Sequence, residues 1–113
     1  MPMTTRKKKL IVTVNIHNTL NCMGNDIEFI KRSNTHQIQR DIPDINETLA
    51  MKNALDKIIA NVNLIRLAQS LNNVNIYEYR NNPYYNFYNE SIDEFINHFS
   101  SVIEKDMQFT SQQ

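Results

Sequence analysis

The sequence predicts an α+β fold in which one small mixed sheet is covered by a long helix and a C-terminal helix. Short segments of alternating apolar and polar residues, rich in β-branched side chains, predict strands on both sides of the long helix. Two longer segments have apolar residues every three or four positions, which is typical of amphipathic helices. One sheet with both helices packed on it would bury every apolar stripe.

Length and composition favour one folded domain of 113 residues, with 41% hydrophobic and 21% charged residues. We expect a flexible basic arm over 1–9, an α+β domain over 10–107 and a frayed tail over 108–113. The formal net charge of zero argues against general attraction to phosphates. One cysteine forms no internal disulfide, and no apolar stretch is long enough for a membrane span, so an intracellular protein without membrane insertion is expected.

The first part of the chain is predicted to form a β-hairpin. Residues Leu10–Ile16 alternate and are mostly β-branched, which predicts the first strand. The segment Met23-Gly24-Asn25-Asp26 contains the only glycine and has the composition of a turn. Residues Ile27–Arg32 are predicted to form the second strand, and a thin alternation over 37–42 allows a third.

A long helix is predicted next. It should begin after Asp44, whose side chain can accept hydrogen bonds from free amides while Glu47 reaches back, and it should end at Asn72. The helix is expected to be buried on a broad face, because its apolar stripe is widened by Ala54, Ile59, Leu64, Ala68 and Leu71. The centre of that stripe consists of Met51, Leu55, Ile58, Val62 and Ile65.

A strand and a final helix complete the prediction. Residues Val74–Arg80 alternate again and predict a strand, which Asn81-Asn82-Pro83 should end. Ser91 and Glu94 form a capping box in front of a strongly amphipathic segment, which predicts a helix to about Met107.

The residue types that catalysis needs are present, but not in recognised patterns. His17, Cys22, His36 and His98 are too scattered for a structural zinc site, which needs about four ligands in short-spaced pairs. A single glycine cannot build a phosphate-binding loop. The predicted strand order resembles the ribonuclease H-like topology, but the first strand has Asn15 and His17 where a two-metal nuclease has a carboxylate. We therefore expect no enzyme activity, metal, cofactor or small-molecule substrate.

Basic residues form the first candidate binding group. They can neutralise phosphates, with affinity that salt weakens. The alternatives for the N-terminal run are a solvated tail or a nuclear localisation signal. The group consists of Arg6, Lys7, Lys8, Lys9, Lys31 and Arg32.

Aromatic residues form the second candidate group. They could stack on unpaired bases or form a protein interface, because tyrosine joins apolar area to a polar tip. The alternative is that half of them close the core beside the last helix. This aromatic cluster consists of Tyr77, Tyr79, Tyr84, Tyr85, Phe87 and Tyr88.

Several segments resemble one ribosomal family. Residues 16–20, Ile-His-Asn-Thr-Leu, are similar to the first-strand motif of the platform small-subunit ribosomal protein, the eleventh in the universal numbering, and Gly24-Asn25 to its following turn. Residues 75–79 and 90–92 are similar to its later strand and the start of its last helix. Its basic loop before the long helix and its basic C-terminal tail have no counterpart here. The resemblance implies a ribonuclease H-like fold without catalysis and adds Asn18 and Thr19 as RNA-contacting residues.

The expected function is therefore a non-catalytic structural RNA-binding component of a ribonucleoprotein. The resemblance implies an organellar small ribosomal subunit in the mitochondrial matrix, with ribosomal RNA and neighbouring proteins as partners. The abundance of Asn and Ile suits an AT-rich genome. The alternative is a protein–protein interaction module or accessory subunit of a viral or eukaryotic complex, located in the cytoplasm or nucleus.

Overall fold

The computed structural model describes residues 13–72 and 74–111, and this part of the chain is helical without any strand. The predicted α+β fold with a mixed sheet is therefore wrong. The basic arm and residues 10–12 of the first predicted strand lie outside the described residues, and the rest of that predicted strand, 13–16, is irregular up to the first residue of α1. The elements in chain order are α1 (Ile16–Ile38), α2 (Ile45–Asn72), a 3-10 turn (Ile76–Tyr79), α3 (Tyr85–Glu90) and α4 (Ile92–Ser111).

Helix α1 stands where the sequence predicts a hairpin. It begins after Asn15, whose side-chain oxygen accepts a hydrogen bond of 3.1 Å from the backbone amide of Asn18. Its apolar side chains follow at alternating intervals of four and three residues and are at most 2% exposed. This spacing gives one continuous buried seam on a helix. The seam consists of Ile16, Leu20, Met23, Ile27 and Ile30.

Gly24 lies inside α1, although the sequence predicts a turn there. It is buried, and a β-carbon added to it would overlap the aromatic ring of Tyr84. The glycine thus permits a close approach of this ring, a role that needs no turn. The second predicted strand, Ile27–Arg32, lies in the middle of the same helix, and the third, over 37–42, covers its end and the following turn.

The predicted ends of the long helix are confirmed, since α2 begins directly after Asp44 and ends at Asn72. Oδ1 of Asp44 accepts a hydrogen bond of 2.9 Å from the amide of Asn46. The backbone carbonyl of Asp44 accepts one of 2.9 Å from the amide of Thr48. Glu47 does not reach back to the cap, because its carboxylate faces side chains at the end of α1.

Residues 74–80 contain the 3-10 turn in place of the predicted strand. The side chain of Asn75 accepts a hydrogen bond of 3.0 Å from the amide of Tyr77, and the carbonyls of Asn75 and Tyr77 accept from the amides of Glu78 and Arg80. The asparagine side chain thereby offers the backbone a local alternative to a strand ladder.

The long helices form an all-α bundle in which α2 packs on both α1 and α4. Helix α4 begins after Ser91, as predicted, and continues to Ser111, beyond the predicted end at Met107. Every buried side-chain polar atom in the described part has a hydrogen-bond partner. Besides the α1 seam, the core consists of Met51, Ala54, Leu55, Ile58, Val62, Ile65, Tyr88, Ile92, Phe95, Phe99 and Ile103.

Candidate interaction surfaces

Two of the predicted RNA-contacting residues lie at the start of α1. The amide of Asn18 and the hydroxyl of Thr19 both donate to Asn15, to its side chain and its carbonyl respectively. Lys31 and Arg32 lie twelve to fourteen residues further along the same helix, about 20 Å away at about 1.5 Å per residue. The structure therefore does not bring the four residues together into one site.

Lys31 and Arg32 are both exposed. The ammonium of Lys31 lies 5.3 Å from the ring centroid of Phe87, a cation–π contact that leaves the charge facing solvent. Neither cation forms an ion pair with a carboxylate in the part of the chain that the structure describes. The other predicted cations, Arg6–Lys9, lie outside the described residues.

Most of the aromatic cluster packs against the bundle. Tyr85 and Tyr88 are each only 7% exposed, and the rest are half-buried except Tyr77, at 56%. Burial raises the pKa of the Tyr88 phenol, whose hydroxyl donates to Oε1 of Gln69 at 3.4 Å. Tyr77 meets Tyr85 edge-on and lies under the guanidinium of Arg80, at 4.8 Å. Little of the cluster is left for a partner.

The residues of the aromatic cluster lie in one stretch of the chain, 77–88, which we call the aromatic segment. Asn82 attaches this segment to α1 and is only 4% exposed. Its amide nitrogen lies 3.2 Å from the carbonyl oxygen of His17, 3.0 Å from Nδ1 of the same residue and 3.0 Å from Oδ1 of Asn21. Its side-chain oxygen accepts a hydrogen bond of 2.8 Å from the amide of Tyr84. The sequence marks Asn82 only as a breaker, because asparagine in a turn does not reveal whether its side chain is buried.

Gln37 forms a buried polar junction between three helices. Its Nε2 donates to Oγ1 of Thr48 on α2 at 3.1 Å and to Oδ2 of Asp106 on α4 at 3.3 Å. Its Oε1 accepts a hydrogen bond of 2.6 Å from the amide of Asp44. Burial raises the pKa of the Asp106 carboxyl. No periodic pattern in the sequence reveals this junction.

A charged group closes the turn between α1 and α2. Nδ1 of His36 lies 2.7 Å from Oε2 of Glu47, and its Nε2 lies 3.0 Å from Nη2 of Arg40. A neutral imidazole protonated on Nδ1 satisfies both contacts, donating to the carboxylate and accepting from the guanidinium. Arg40 also pairs with Asp44 at 3.3 Å, and the amide of Asn46, with that guanidinium, lowers the pKa of Asp44. These side chains satisfy one another within the turn.

An open groove of about 590 Å³ runs between α2 and α4. Its rim includes Glu104 and an ion pair of 3.2 Å between Lys52 and Asp56. In the described part, no three His, Cys, Asp or Glu side chains are placed to hold a metal ion. The apolar part of the groove consists of Leu55, Ile59, Ile103 and Met107.

The outward face of the second half of α2 carries exposed apolar side chains. Leu64, Leu67 and Leu71 are 39%, 45% and 52% exposed, so Leu64 and Leu71 do not widen the buried stripe as predicted. The only charged residue over 58–71 is Arg66, whose guanidinium contacts both carboxylate oxygens of Asp93 on α4 at 3.2 Å. We define the leucine stripe as Ala60, Leu64, Leu67 and Leu71.

Comparison of the chain with protein-family models, curated proteins and solved structures gives no match. Among the described residues, no helix combines the length and the apolar character needed to cross a membrane. Function therefore has to be inferred from the surfaces of the bundle.

Proposed function

We propose that this chain is a non-catalytic structural subunit that binds a neighbouring protein through the outer side of α2. The leucine stripe is the observation that supports this proposal. Its three leucines keep 39% to 52% of their surface exposed, whereas Ile58 and Ile65 on the inner side of the same helix are fully buried. Contiguous exposed apolar groups with polar neighbours are typical of protein–protein interaction sites. A helix that is apolar on several sides normally has neighbours on those sides.

The use of the polar side chains also favours a binding role. His36 and Glu47 bond to each other in the α1–α2 turn, and Gln37 and Asp106 join the ends of helices. Gln37 and Asp106 line an open pocket of about 380 Å³, but their polar groups there bond to each other and to the amide of Asp44, which stabilises the bundle. A subunit whose polar groups hold its own fold together acts through its surface.

The test compares variants of the stripe in native extract. Leu64→Glu combined with Leu67→Glu places two charges on the stripe, and Ile38→Glu is the matched control because Ile38 is 72% exposed at the end of α1. We expect the parent chain and the control to sediment in particles larger than the 13.3 kDa chain, and the double variant to sediment as a monomer. A parent chain that sediments alone at 13.3 kDa in extract, and that also stays monomeric when purified and concentrated to about 1 mM, would refute the proposal.

A ribonucleoprotein role, on ribosomal RNA in a mitochondrial small subunit, stays a prediction and is the second candidate. Lys31 and Arg32 are exposed and have no acidic partner among residues 13–72 and 74–111, which favours RNA contact. The ribonuclease H-like sheet that the family resemblance implies is not the fold of the described residues, so the resemblance adds no support to this candidate.

RNA binding can be tested by titrating the full chain with a structured ribosomal RNA fragment at several salt concentrations. The plot of log K against log salt concentration has a negative slope. If Lys31 and Arg32 contact phosphates, replacing both with alanine should make that slope shallower by about 1 to 2. Lys52→Ala is the control, because Lys52 is paired with Asp56. An unchanged slope for the double variant would exclude these two contacts.

A further inference from the structure

We infer that the partner of the leucine stripe is a second copy of this chain, bound through an antiparallel pair of α2 helices. This inference rests on the proposed function, since it names the partner of the same surface. Two properties of the stripe lead to it, the spacing of its residues and the lack of unpaired charge around it, and its small area predicts how strong the pair should be.

The spacing of the stripe reads the same in both directions. Its four residues are separated by intervals of four, three and four. With a twofold axis between Leu64 and Leu67, Ala60 lies opposite Leu71 of the second copy, and Leu64 lies opposite Leu67 of the second copy. The same patch then faces itself, as a twofold interface requires, and a small residue meets a large one.

The surroundings of the stripe suit a pair of identical surfaces. Its polar neighbours include the uncharged Asn61, Asn63 and Ser70. The charged residues beside it are paired within the chain, Arg66 with Asp93, Asp56 with Lys52 and Lys57 with Asp26. A twofold pair therefore brings no like charges together. A strongly charged partner would meet only charges that are already paired within the chain, which disfavours an acidic or basic peptide as the occupant.

The area of the stripe determines how strong the pair should be. Three half-exposed leucines and an alanine offer of the order of a few hundred Å² per copy, at the lower end of functional apolar patches. A stable interface usually buries about 800 Å² on each partner. The pair should therefore be weak and should form only as the concentration rises.

Sedimentation equilibrium of the purified full chain tests whether the pair exists. From about 1 µM to about 1 mM, the apparent mass should rise from 13.3 kDa towards twice that value. Leu67→Glu should remain monomeric throughout, and Ile38→Glu should behave like the parent chain. Circular dichroism should give the same helix content for all three proteins. A parent chain that is monomeric up to 1 mM would overturn the inference.

Disulfide trapping tests the antiparallel direction, with the exposed native thiol removed by Cys22→Ser. A mixture of the Leu64→Cys and Leu67→Cys variants should form a mixed disulfide faster than either variant links to itself. Faster self-linking of both variants would show a parallel pair and overturn the inference.

The outcomes also separate this inference from the proposed function. If the purified chain is monomeric while the stripe variants still fail to sediment in large particles in extract, the partner is a different protein and the proposed function stands. If the parent chain is monomeric in both settings, both proposals fail.

Discussion

Helices α1 and α2 are both long, but their surfaces are covered differently. Besides the face that α1 turns towards α2, a second face of α1 lies under the aromatic segment, held by Asn82 and by the packing of Tyr84 on Gly24. Helix α2 also has a buried inner face, but on the outer face of its second half Leu64 and Leu67 are exposed to solvent. The segment that follows α2 covers α1, so the outer face of α2 remains exposed.

The largest expected effect separates the two faces of α2. Ile65→Ala removes a fully buried side chain and should lower the free energy of unfolding by about 2 to 5 kcal/mol. Leu64→Ala, next to it on the outer face, should change it by less than about 1 kcal/mol. Urea denaturation at a concentration where the chain is monomeric measures both values. Equal losses would mean that the outer face is buried in the monomer.

A smaller effect tests the second covered face of α1. Gly24→Ala should destabilise the chain by about 1 kcal/mol, since crowding of Tyr84 costs more than the helix propensity that alanine adds. In a Tyr84→Ala background the crowding is absent, and the same change should stabilise the chain by about 1 kcal/mol. Unfolding free energies of the four proteins form a double-mutant cycle. The same sign in both backgrounds would exclude a role for the ring.

The smallest expected effect concerns the ends of the helices and depends on pH. Burial raises the pKa of Asp106 above its ordinary value of 3.8. The protonated carboxyl therefore contributes its full stability below pH 3.8, and this stability is lost as the pH rises through the raised pKa. Asp106→Asn mimics the protonated form and keeps an acceptor for Gln37. We expect this variant to be more stable than the parent at pH 7 and equal to it in acid, as measured by urea denaturation across pH.

Asp44→Asn provides a control of opposite sign. The amide of Asn46 lowers the pKa of Asp44, so the stability that this carboxylate contributes is present above pH 3.8 and is lost as the pH falls through the lowered pKa. We expect Asp44→Asn to be less stable than the parent at pH 7 and to approach it in acid. Shifts of the same sign for both variants would contradict these assignments.

Local cap chemistry made parts of the fold predictable from the sequence. Asp44 marks the start of α2 correctly, because its side chain accepts from the free amide of Asn46. Ser91 marks the start of α4, where its carbonyl accepts the first intrahelical hydrogen bond from the amide of Phe95. The prediction of a sheet was wrong for a physical reason. Isoleucine and asparagine have low helix propensity, and Gly24-Asn25 has turn composition, yet the seam of Ile16 to Ile30 continues through the glycine at helical spacing. Tertiary packing outweighed local propensity there.

The candidate surfaces were less predictable than the fold. The apolar periodicity of α2 includes Leu64 and Leu71 in a broad buried face, because a pattern cannot show on which side a small bundle has no further helix. The aromatic cluster is prominent in the sequence, but Tyr85 and Tyr88 are buried by their neighbours. Asn82 and Gln37 bond to residues far away in the chain, and no local pattern records such contacts.

The bond from Gln37 to Asp106 joins residues 69 positions apart in the chain and selects one alignment of the helices. Apolar side chains spaced by fours and threes meet equivalent neighbours again after one heptad, so packing alone would let a helix slide by about 10 Å. A slide of α4 by that distance would remove one of the two acceptors of the glutamine amide and the donor that Asp106 has in this partly buried place, at a cost of about 1 to 3 kcal/mol. The side chain of Gln37 thus fixes the axial position of α4 relative to α1.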